Sequence, residues 1–367
     1  MALARGLSHP VDGAAFEVTL ATPTPRVNYA DSSLPFAVVR RPGFWKLLQL
    51  LRNADAVHIA APALIPMLLA SLLGKRWIVE HHGFQVICPN GQLVQEPEQT
   101  PCPGYFMAGK HRECIRCNAG NGWLSSLRLW LLTFVRRSLA KKARVNVVPT
   151  EWLGTQLKLP RTHTIPHGLP AGPEPATHAA SEPSTFFFLG RLVPTKGVDV
   201  LIAAAARMRK QKIPFQIRIA GDGPERAALS SKAQAADLSA CTDFIGKMST
   251  AEASQEFDRA TATVMPSIGG EVFGLVALES MLRGCPVVAS DIGALSEVTG
   301  DTGLTFPIGD AAALAERLER LMREPAFADD LRHKARQRAV DAFGEEQMFA
   351  EHRRVLQDLV GGISKRS

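Results

Sequence analysis

The sequence predicts an α/β protein made of two parallel-sheet domains that face each other across a cleft. Strand-like and helix-like runs alternate along the chain, which is typical of parallel sheets. Between two such series lies a stretch without periodicity, AGPEPATHAASEPS, whose Pro, Ala and Ser content indicates an interdomain linker. The length of 367 residues also exceeds what one ordinary core supports.

The predicted strands can be taken in chain order. Those of the first domain are FEVTLAT, FAVVR, AVHIA, WIVEH, RVNVVPT and a short last one in HTIPHGLP. Those of the second domain are TFFFLGRL, FQIRIAGDG, TDFIGKM, ATVMPSI, CPVVASD and GLTFPIG. The segments between them have helical spacing of apolar residues. We therefore predict domains over 1–170 and 185–345, a linker over 171–184, and a C-terminal helix over 346–367 that packs back on the first domain.

Composition and charge restrict the class of protein. The chain is 46% hydrophobic and 21% charged, as expected for a globular protein without general disorder. Residues 1–180 hold 19 Lys+Arg against 10 Asp+Glu, a charge of +9, so that the rest of the +7 chain carries −2. A basic first half indicates an anionic partner, such as a phosphate-bearing acceptor or a membrane surface. Because no nucleic-acid recognition motif is present, we expect no nucleic-acid partner.

Two apolar segments bear on membrane contact. Residues 56–73 are long enough to suggest a spanning helix, but His58, Pro62 and Pro66 favour a buried strand followed by a helix. Residues 122–145 are apolar and end in a basic cluster. We expect the middle to pack inside the first domain and the basic end to face phospholipid; a helix that lies along an anionic membrane surface is the alternative. The N-terminal apolar run is too short for a signal peptide. We therefore expect a cytoplasmic protein with peripheral contact at the inner face of the plasma membrane.

Glycines and basic residues follow two strands of the second domain. In LGRLVPTKG, Gly190 and Arg191 end a strand and Lys196 precedes a predicted helix. Glycine lets the backbone approach a ligand closely. Arg and Lys there can bind a diphosphate, each charged hydrogen bond contributing roughly 1.5–3 kcal/mol; an ordinary solvated turn is the alternative. A weaker signal of the same kind is IAGDGPE, which contains Gly221 and Gly223.

The stretch PSIGGEVFGLVALES joins a glycine turn to an apolar helix and carries two carboxylates. A helix that begins at about Phe273-Gly274 offers unpaired N–H groups and a dipole that favour phosphate. Glu279 follows Glu271 by eight residues, just over two helical turns, so we expect both on nearly the same face. A solvated face is a poor alternative, because the residues between them are mostly apolar.

As an ordered set, GRLVPTKG, AGDGPE, PSIGGEVFGLVALESMLRGCPVVASDIGALSEV and GLTFPIGD resemble the donor-binding domain of the retaining GT-B glycosyltransferases of family four, which include sucrose synthases and bacterial mannosyltransferases. The resemblance covers most of residues 184–310 and implies a GT-B fold of two Rossmann-like domains. It implies that Arg191 and Lys196 bind the donor diphosphate and that Glu271 touches the donor sugar. The further donor contacts that it implies are Gly190, Gly221, Gly223, Ile245, Phe273, Gly274, Leu275 and Glu279, the last at the ribose.

A histidine of the first domain completes the implied site. The family places a His after a strand of that domain, facing the donor sugar, and WIVEHHGFQVICPNG offers His81 and His82. The distance to the Cys-Pro pair favours His82 by resemblance, and His81 is the alternative.

The resemblance implies a retaining hexosyltransferase that moves a sugar from a nucleotide diphosphate-sugar to a hydroxyl group of a glycan, a lipid-linked acceptor or a lipopolysaccharide intermediate. No catalytic cofactor is required in this family. Two alternatives stay open. One is a GT-B epimerase or phosphorylase, and the other is a non-catalytic nucleotide-sugar binding protein.

The chain departs from the family pattern at its start. About the first twenty residues of the pattern, including its first strand and Gly-rich loop, have no counterpart here. We therefore expect a first sheet with exposed backbone edges.

The second departure is an insertion at about 85–120. It holds four of the six cysteines, namely Cys88, Cys102, Cys114 and Cys117. Four thiolates in such a loop would suit a tetrahedral structural zinc site. Reduced buried thiols or a redox disulfide are the alternatives. We expect Cys241 and Cys285 to be core residues.

Overall fold

The structure is a computed structural model that describes residues 1–10, 16–25, 31–96, 98–172, 183–212 and 214–361. Most of the predicted linker, residues 173–182, and the end of the predicted C-terminal helix, residues 362–367, lie outside this part of the chain. The described residues form two large parallel sheets covered by helices, together with two short strand pairs, and the predicted α/β class is confirmed.

Every strand predicted in the first half is present. The strands of this half are β1 (Thr19–Thr22), β2 (Ala37–Arg40), β3 (Ala56–Ile59), β4 (Arg76–Glu80), β5 (Val94–Gln95), β6 (Thr100–Pro101), β7 (Val145–Val148) and β8 (Thr162–Thr164). A four-stranded parallel sheet has the order β3-β4-β7-β8, while β1 and β2 pair with each other in a separate parallel sheet. Within the described part of the chain, β3 therefore has a hydrogen-bonded neighbour on one edge only. The short pair β5–β6 is antiparallel and lies in the insertion.

Six α-helices accompany these strands in the described residues of this half. They are α1 (Ala2–Ser8), α2 (Phe44–Asn53), α3 (Leu64–Leu72), α4 (His111–Cys117), α5 (Trp123–Ala140) and α6 (Glu151–Leu157). The apolar run 56–73 is thus β3 followed by α3, as predicted. None of the helices in the described residues is long and apolar enough to cross a membrane.

Helix α5 buries its apolar middle only in part, which narrows our expectation. Its buried face carries Ser126 and Thr133, whereas Leu131, Phe134 and Val135 are exposed. The hydroxyl groups of the buried pair donate to backbone carbonyls, Ser126 to Asn118 and Thr133 to its own helix. The helix packs on α3 and α4. Its Trp130 is half-buried beside His111, and Phe134 packs on Phe106 with ring centroids 4.6 Å apart.

The second half contains one six-stranded parallel sheet. Its strands are β9 (Ser184–Leu189), β10 (Phe215–Ala220), β11 (Thr242–Gly246), β12 (Ala262–Met265), β13 (Val287–Ser290) and β14 (Leu304–Phe306), all as predicted. Phe186, Phe187 and Phe188 of the central strand are buried, as expected for a strand covered on both faces. The order β11-β10-β9-β12-β13-β14 reverses direction between β9 and β12. Such a switch point leaves a crevice at the carboxyl ends of these two strands.

The helices of the second half are α7 (Val198–Lys210), α8 (Arg226–Ala235), α9 (Thr250–Arg259), α10 (Leu275–Leu282), α11 (Gly293–Thr299), α12 (Ala311–Arg323), α13 (Pro325–Ala342) and α14 (Glu345–Gly361). The last of them returns to the first sheet. Its Met348 and Leu356 share a buried cluster with Ile78 and Val147 of the first sheet. The chain crosses between the sheets at Gly344, which forms an isolated bridge with Leu169.

Candidate functional site

A cavity of about 500 Å³ lies between the two halves of the molecule. The first half contributes His82 and His167, and the second contributes the loops that follow β9 and β12. The cavity therefore occupies the carboxyl-end crevice at the switch point of the second sheet.

The loop after β9 holds Arg191 and Lys196 at this cavity. Gly197 has φ +63°, and a Cβ there would overlap the carbonyl oxygen of Pro266 after β12. The Ile268 N–H donates to the Thr195 carbonyl at 2.9 Å. A glycine at 197 thus permits the close approach of the two loops that brings Lys196 to the residues after β12.

Lys196 and Glu271 form an ion pair within the cavity lining. The Ser267 hydroxyl also donates to Glu271, at 2.8 Å, and Glu271 is only 7% exposed. A buried carboxylate is stable here because a cation and a hydroxyl satisfy it. Arg191 is exposed, and its side chain has no hydrogen-bonding partner among the described residues. The cavity therefore offers one paired cation and one that is available to an anion.

The glycine turn after β12 differs from our expectation in one respect. Helix α10 begins at Leu275, and its N-cap Gly274 has φ +92°. Glu271 consequently precedes the helix, so the expectation that the two glutamates share one helical face is wrong. The glycine backbone turns sharply before the helix, and its Cβ position is filled by Leu295. The N–H groups of the first turn of α10, which have no partner within the helix, lie at the cavity.

Glu279 lies within α10, half-buried, and is not part of the cavity lining. Burial raises the pKa of its carboxyl group. No hydrogen bond or ion pair reaches this side chain from the other described residues. The predicted contact with ribose therefore stays a prediction.

Gly221, Gly223 and Ile245 are not part of the cavity lining. A Cβ at Gly221 would overlap the Gly190 carbonyl, and one at Gly223 would overlap that of Leu192. These glycines let the turn after β10 support the loop that carries Arg191. Ile245 is 36% exposed on β11, and its predicted contact with the donor stays a prediction.

The two neighbouring histidines have different environments. His82 lines the cavity, and its imidazole is stacked on that of His167 at a centroid distance of 5.3 Å. His81 is fully buried, and its Nε2 lies 3.0 Å from the Asn146 side-chain oxygen. Burial lowers the pKa of His81 to about 4. The structure thus places His82 at the cavity and His81 in the core.

His167 was not predicted as a site residue. It follows β8 in the segment IPHGLP, and its ring meets that of Phe273 edge-on at 5.0 Å. Burial lowers the pKa of His167 to about 4, so the ring is neutral at pH 7. The one available signal was the position of a histidine directly after a strand of the first sheet.

Behind His82, the carboxylate of Glu80 is buried at the end of β4. Its Oε2 lies 2.9 Å from His58 Nε2, and its Oε1 lies 3.6 Å from His82 Nε2. Burial raises the pKa of Glu80, but interactions with His352, His58 and His82 outweigh it and hold that pKa well below its usual range. Glu80 is therefore an anion that His82 faces.

The insertion brings its four cysteines into one neighbourhood as free thiols. The Asn90 side chain accepts from Cys88 at 2.9 Å and lies 3.7 Å from the sulfur of Cys117. Burial raises the pKa of Cys114 to about 12. In the described residues, no three of the four sulfurs lie within 4.8 Å of one another. The zinc site stays a prediction, and reduced thiols or a redox disulfide stay its alternatives.

The two remaining cysteines lie outside the insertion. Cys241 and Cys285 are buried in the cores of the second half, as predicted.

The insertion also touches the loop that follows β12, because a Cβ at Gly269 would overlap the side chain of Val94 in β5. The insertion therefore forms one wall beside the glycine turn.

Comparisons with known proteins agree with the predicted resemblance. Residues 174–339 match the family Glycosyl transferases group 1. The chain is 32% identical over 235 residues to the glycogen synthase of Mycobacterium tuberculosis, and the aligned region covers 61% of this chain and 56% of that protein. It is 38% identical over 148 residues to the phosphatidyl-myo-inositol mannosyltransferase of Mycobacterium leprae, covering 40% and 39%. The chain thus spans about half the length, or less, of these relatives.

Solved structures extend the likeness to the whole fold. The sucrose-phosphate synthase of Thermosynechococcus elongatus has a TM-score of 0.73 at 22% identity, covering 98% of this chain and 92% of that one. Anabaena HepE in complex with UDP and glucose has a TM-score of 0.67 at 17% identity, covering 88% and 86%. These matches confirm the predicted GT-B fold with two Rossmann-like domains.

Proposed function

We propose that this protein is a glycosyltransferase that moves a sugar from a nucleotide diphosphate-sugar to a hydroxyl acceptor at the cavity between its two domains. The observation that carries the proposal is the convergence of Arg191, Lys196, Glu271 and the start of α10 on one cavity, opposite His82. The match of residues 174–339 to Glycosyl transferases group 1 supports it, as does the likeness to a fold seen with UDP and glucose.

The donor diphosphate would lie between Arg191, Lys196 and the N–H groups at the start of α10. Two cations and a helix dipole oppose the negative charge that builds up on the diphosphate as the bond to the sugar breaks. Because Arg191 and the start of α10 already lie at the cavity, these groups need little reorganisation during the reaction. Side chains and backbone N–H groups of this chain would then stabilise the leaving diphosphate, a role that a metal ion has in other enzymes.

The pair Lys196–Glu271 would be rearranged when the donor binds. The Lys196 ammonium group would then also bind the diphosphate. Glu271, which accepts a hydrogen bond from Ser267 at 2.8 Å, would accept further hydrogen bonds from the sugar hydroxyls. His82 faces this position from the other domain. We propose transfer of a hexose with retention. The acceptor hydroxyl attacks the anomeric carbon from the face that the diphosphate leaves, the bond from sugar to diphosphate breaks, and the hydroxyl proton passes to the leaving phosphate oxygen, so that no side chain forms a covalent intermediate.

The test is the release of nucleoside diphosphate with a panel of nucleotide sugars and hydroxyl acceptors. Arg191→Ala should lower turnover about 100- to 1,000-fold, the loss typical for one charge-stabilising group. It is the cleaner variant because Arg191 is exposed, whereas Lys196→Ala leaves Glu271 buried without its cation. Lys210→Ala, exposed at the far end of α7, is the matched control and should keep full turnover. Unchanged rates in Arg191→Ala and Lys196→Ala would contradict the diphosphate site.

We also propose that the acceptor is a glycan or a lipid-linked molecule reached at an anionic membrane surface. Helices α2, α3 and α5 pack in succession and expose large apolar side chains, including Trp45 (78%), Leu72 (74%) and Trp123 (69%). Lys141 and Lys142 are exposed at the end of α5. Exposed apolar side chains and exposed cations on one group of packed helices suit the boundary of an anionic bilayer.

Flotation with liposomes tests this contact. The protein should float with vesicles that contain anionic lipid and stay in solution with neutral ones. Trp45→Ser with Trp123→Ser should reduce flotation several-fold, and Lys210→Ala should not. Equal flotation with both lipid compositions, or none with either, would contradict the contact without affecting the donor site.

A further inference from the structure

Three side chains of metal-ligand type meet behind the donor cavity. They are His58 of β3, Glu80 at the end of β4 and His352 of α14, and one ligand atom of each lies within 4.8 Å of the others. Two elements of the first sheet and the returning C-terminal helix thus converge on one buried point.

Both imidazoles present the same nitrogen to the same carboxylate oxygen. His58 Nε2 lies 2.9 Å from Glu80 Oε2, and His352 Nε2 lies 3.7 Å from it. The two rings are stacked, with their centroids 5.7 Å apart and an interplanar angle of 24°. Two stacked rings and one carboxylate therefore present their ligand atoms to one another within a short distance.

The tautomer of His352 follows from its other nitrogen. Nδ1 lies 2.9 Å from the Met348 carbonyl oxygen, which can only accept, so Nδ1 carries a proton. In the neutral ring, Nε2 is then a bare lone pair. The side chain is 1% exposed, and Nε2 has no hydrogen-bond donor among the described residues.

A lone pair that faces a buried carboxylate is repelled unless a cation lies between them. In the described part of the chain, no Lys or Arg forms an ion pair with Glu80. The ion-pair partners of Glu80 there are all histidines. The cation is therefore either a proton on the ring or a bound metal ion. Two imidazoles and one carboxylate are the donor set that zinc and related transition ions prefer.

We propose that His58, Glu80 and His352 bind one divalent transition metal ion of the Zn²⁺ class. With metal–nitrogen distances of about 2.0–2.1 Å, the ligand atoms of a tetrahedral site lie roughly 3.3 Å apart. The observed separations of 2.9 and 3.7 Å bracket this value, so small side-chain rotations complete the site. A water molecule would be the fourth ligand.

The ion would fasten α14 to the first sheet directly behind His82. Glu80 Oε1 faces His82 at 3.6 Å, while Oε2 faces the proposed ion. The role that we assign to the ion is structural, and the proposal does not depend on the proposed transferase activity.

The experiment is a titration of the full chain, stripped with a chelator, with Co²⁺ as a spectroscopic probe and then with Zn²⁺. We expect one Co²⁺ per chain with visible d–d bands, displacement by Zn²⁺, and a higher unfolding temperature with either ion. His352→Gln and His58→Gln should each weaken binding at least tenfold. Far-UV circular dichroism in chelator establishes that each variant folds, and His58, 17% exposed, gives a second measure should the buried His352 variant fail.

His333→Gln is the matched control. His333 makes the same Nδ1 contact to the carbonyl four residues earlier, at 2.8 Å from Asp329, but is exposed. It should bind Co²⁺ as the parent does. Equal affinity in the parent and both cluster variants would overturn the proposal and leave a proton on His352 as the cation. An intense thiolate-to-cobalt band that is lost in Cys114→Ser would also overturn it, because the ion would then belong to the insertion.

Discussion

Single residues of the donor cavity are placed by features that the sequence shows only in part. Arg191, Lys196 and Glu271 each follow a strand of the second sheet, and parallel strands present their carboxyl ends at one edge, so their convergence was predictable. The direct pairing of Lys196 with Glu271 was not, because it joins positions 75 residues apart. It depends on Gly197, which allows the two loops to touch.

His167 and Glu279 show the same limit at single positions. Nothing in IPHGLP separates a cavity histidine from a core one, since the distinction arises from stacking on His82 and contact with Phe273. The residue type of Glu279 indicated a polar role, yet only the structure shows a half-buried carboxyl group without a partner in the described residues.

Glu279→Gln is expected to stabilise the protein at neutral pH while weakening donor binding. Burial raises the pKa of Glu279 above its ordinary value of 4.5, so the folded state holds the proton more tightly than the unfolded chain does. The cost of ionising it is absent below about pH 4.5 and appears as the pH rises through the raised pKa. Urea unfolding of parent and variant at pH 4 and pH 7 should show a gain at pH 7 only.

The matched control is Glu316→Gln, whose side chain is exposed on α12 of the same domain. It should change neither the free energy of unfolding nor donor affinity. A Glu279→Gln variant that loses stability at pH 7 would show that the carboxylate is stabilised in the folded protein, against this expectation. Unchanged donor affinity would remove the predicted contact with ribose.

At the scale of elements, α6 of the first domain is held from the second. The N–H groups of Glu151 and Trp152 each donate to the Glu297 carboxylate of α11, both at 2.8 Å. Thr150, the N-cap, accepts from Leu153 and donates to the Val272 carbonyl beside the donor cavity. The free N–H groups at the start of a helix are usually bound by a nearby capping side chain, but two of those of α6 are bound by Glu297 from across the cleft.

Glu297→Ala should lower the free energy of unfolding by about 1–2 kcal/mol, the usual cost of a lost helix cap with its dipole interaction. Amide hydrogen exchange at Glu151 and Trp152 should accelerate, because both N–H groups lose their acceptor. Exchange measured by mass spectrometry on peptides that cover α6 checks this.

Asp310→Ala provides the comparison, since Asp310 caps α12 entirely within the second domain through the N–H groups of Ala312 and Ala313. It should cost a similar free energy and leave exchange at α6 unchanged. Equal protection of α6 in Glu297→Ala and the parent would mean that the contact across the cleft carries no energy.

At the scale of the molecule, the two sheets were readable from the sequence and their assembly was not. Each strand is a short apolar or alternating run bounded by turn residues, a local signal that survives in isolation. The division of the first half into β1–β2 and β3–β4–β7–β8 depends on pairing between distant segments. The outward apolar face of α5 likewise arose from packing, since Ser126 and Thr133 took the buried side.

Helix α14 joins the last residues in sequence to the first domain in space. Its Arg353 donates to the carbonyls of Gly6 and His9 around α1, at 3.0 and 2.8 Å. Arg76 of β4 donates to the carbonyl of Leu359 at 2.9 Å. The first sheet is therefore completed by a helix that the chain reaches only after the second domain.

This arrangement predicts that Leu356→Ala destabilises the first domain, although it lies near the C-terminal end. Leu356 is 6% exposed and packs in one cluster with Ile78 and Val147, so the substitution leaves a cavity that costs about 2–5 kcal/mol. All five tryptophans belong to the first 152 residues, so their fluorescence reports this domain. The fluorescence midpoint in urea should fall, whereas Val340→Ala, exposed on α13, should shift stability by less than about 0.5 kcal/mol. Coincident midpoints for Leu356→Ala and the parent would mean that α14 contributes nothing to the first core, and would contradict the packing described above.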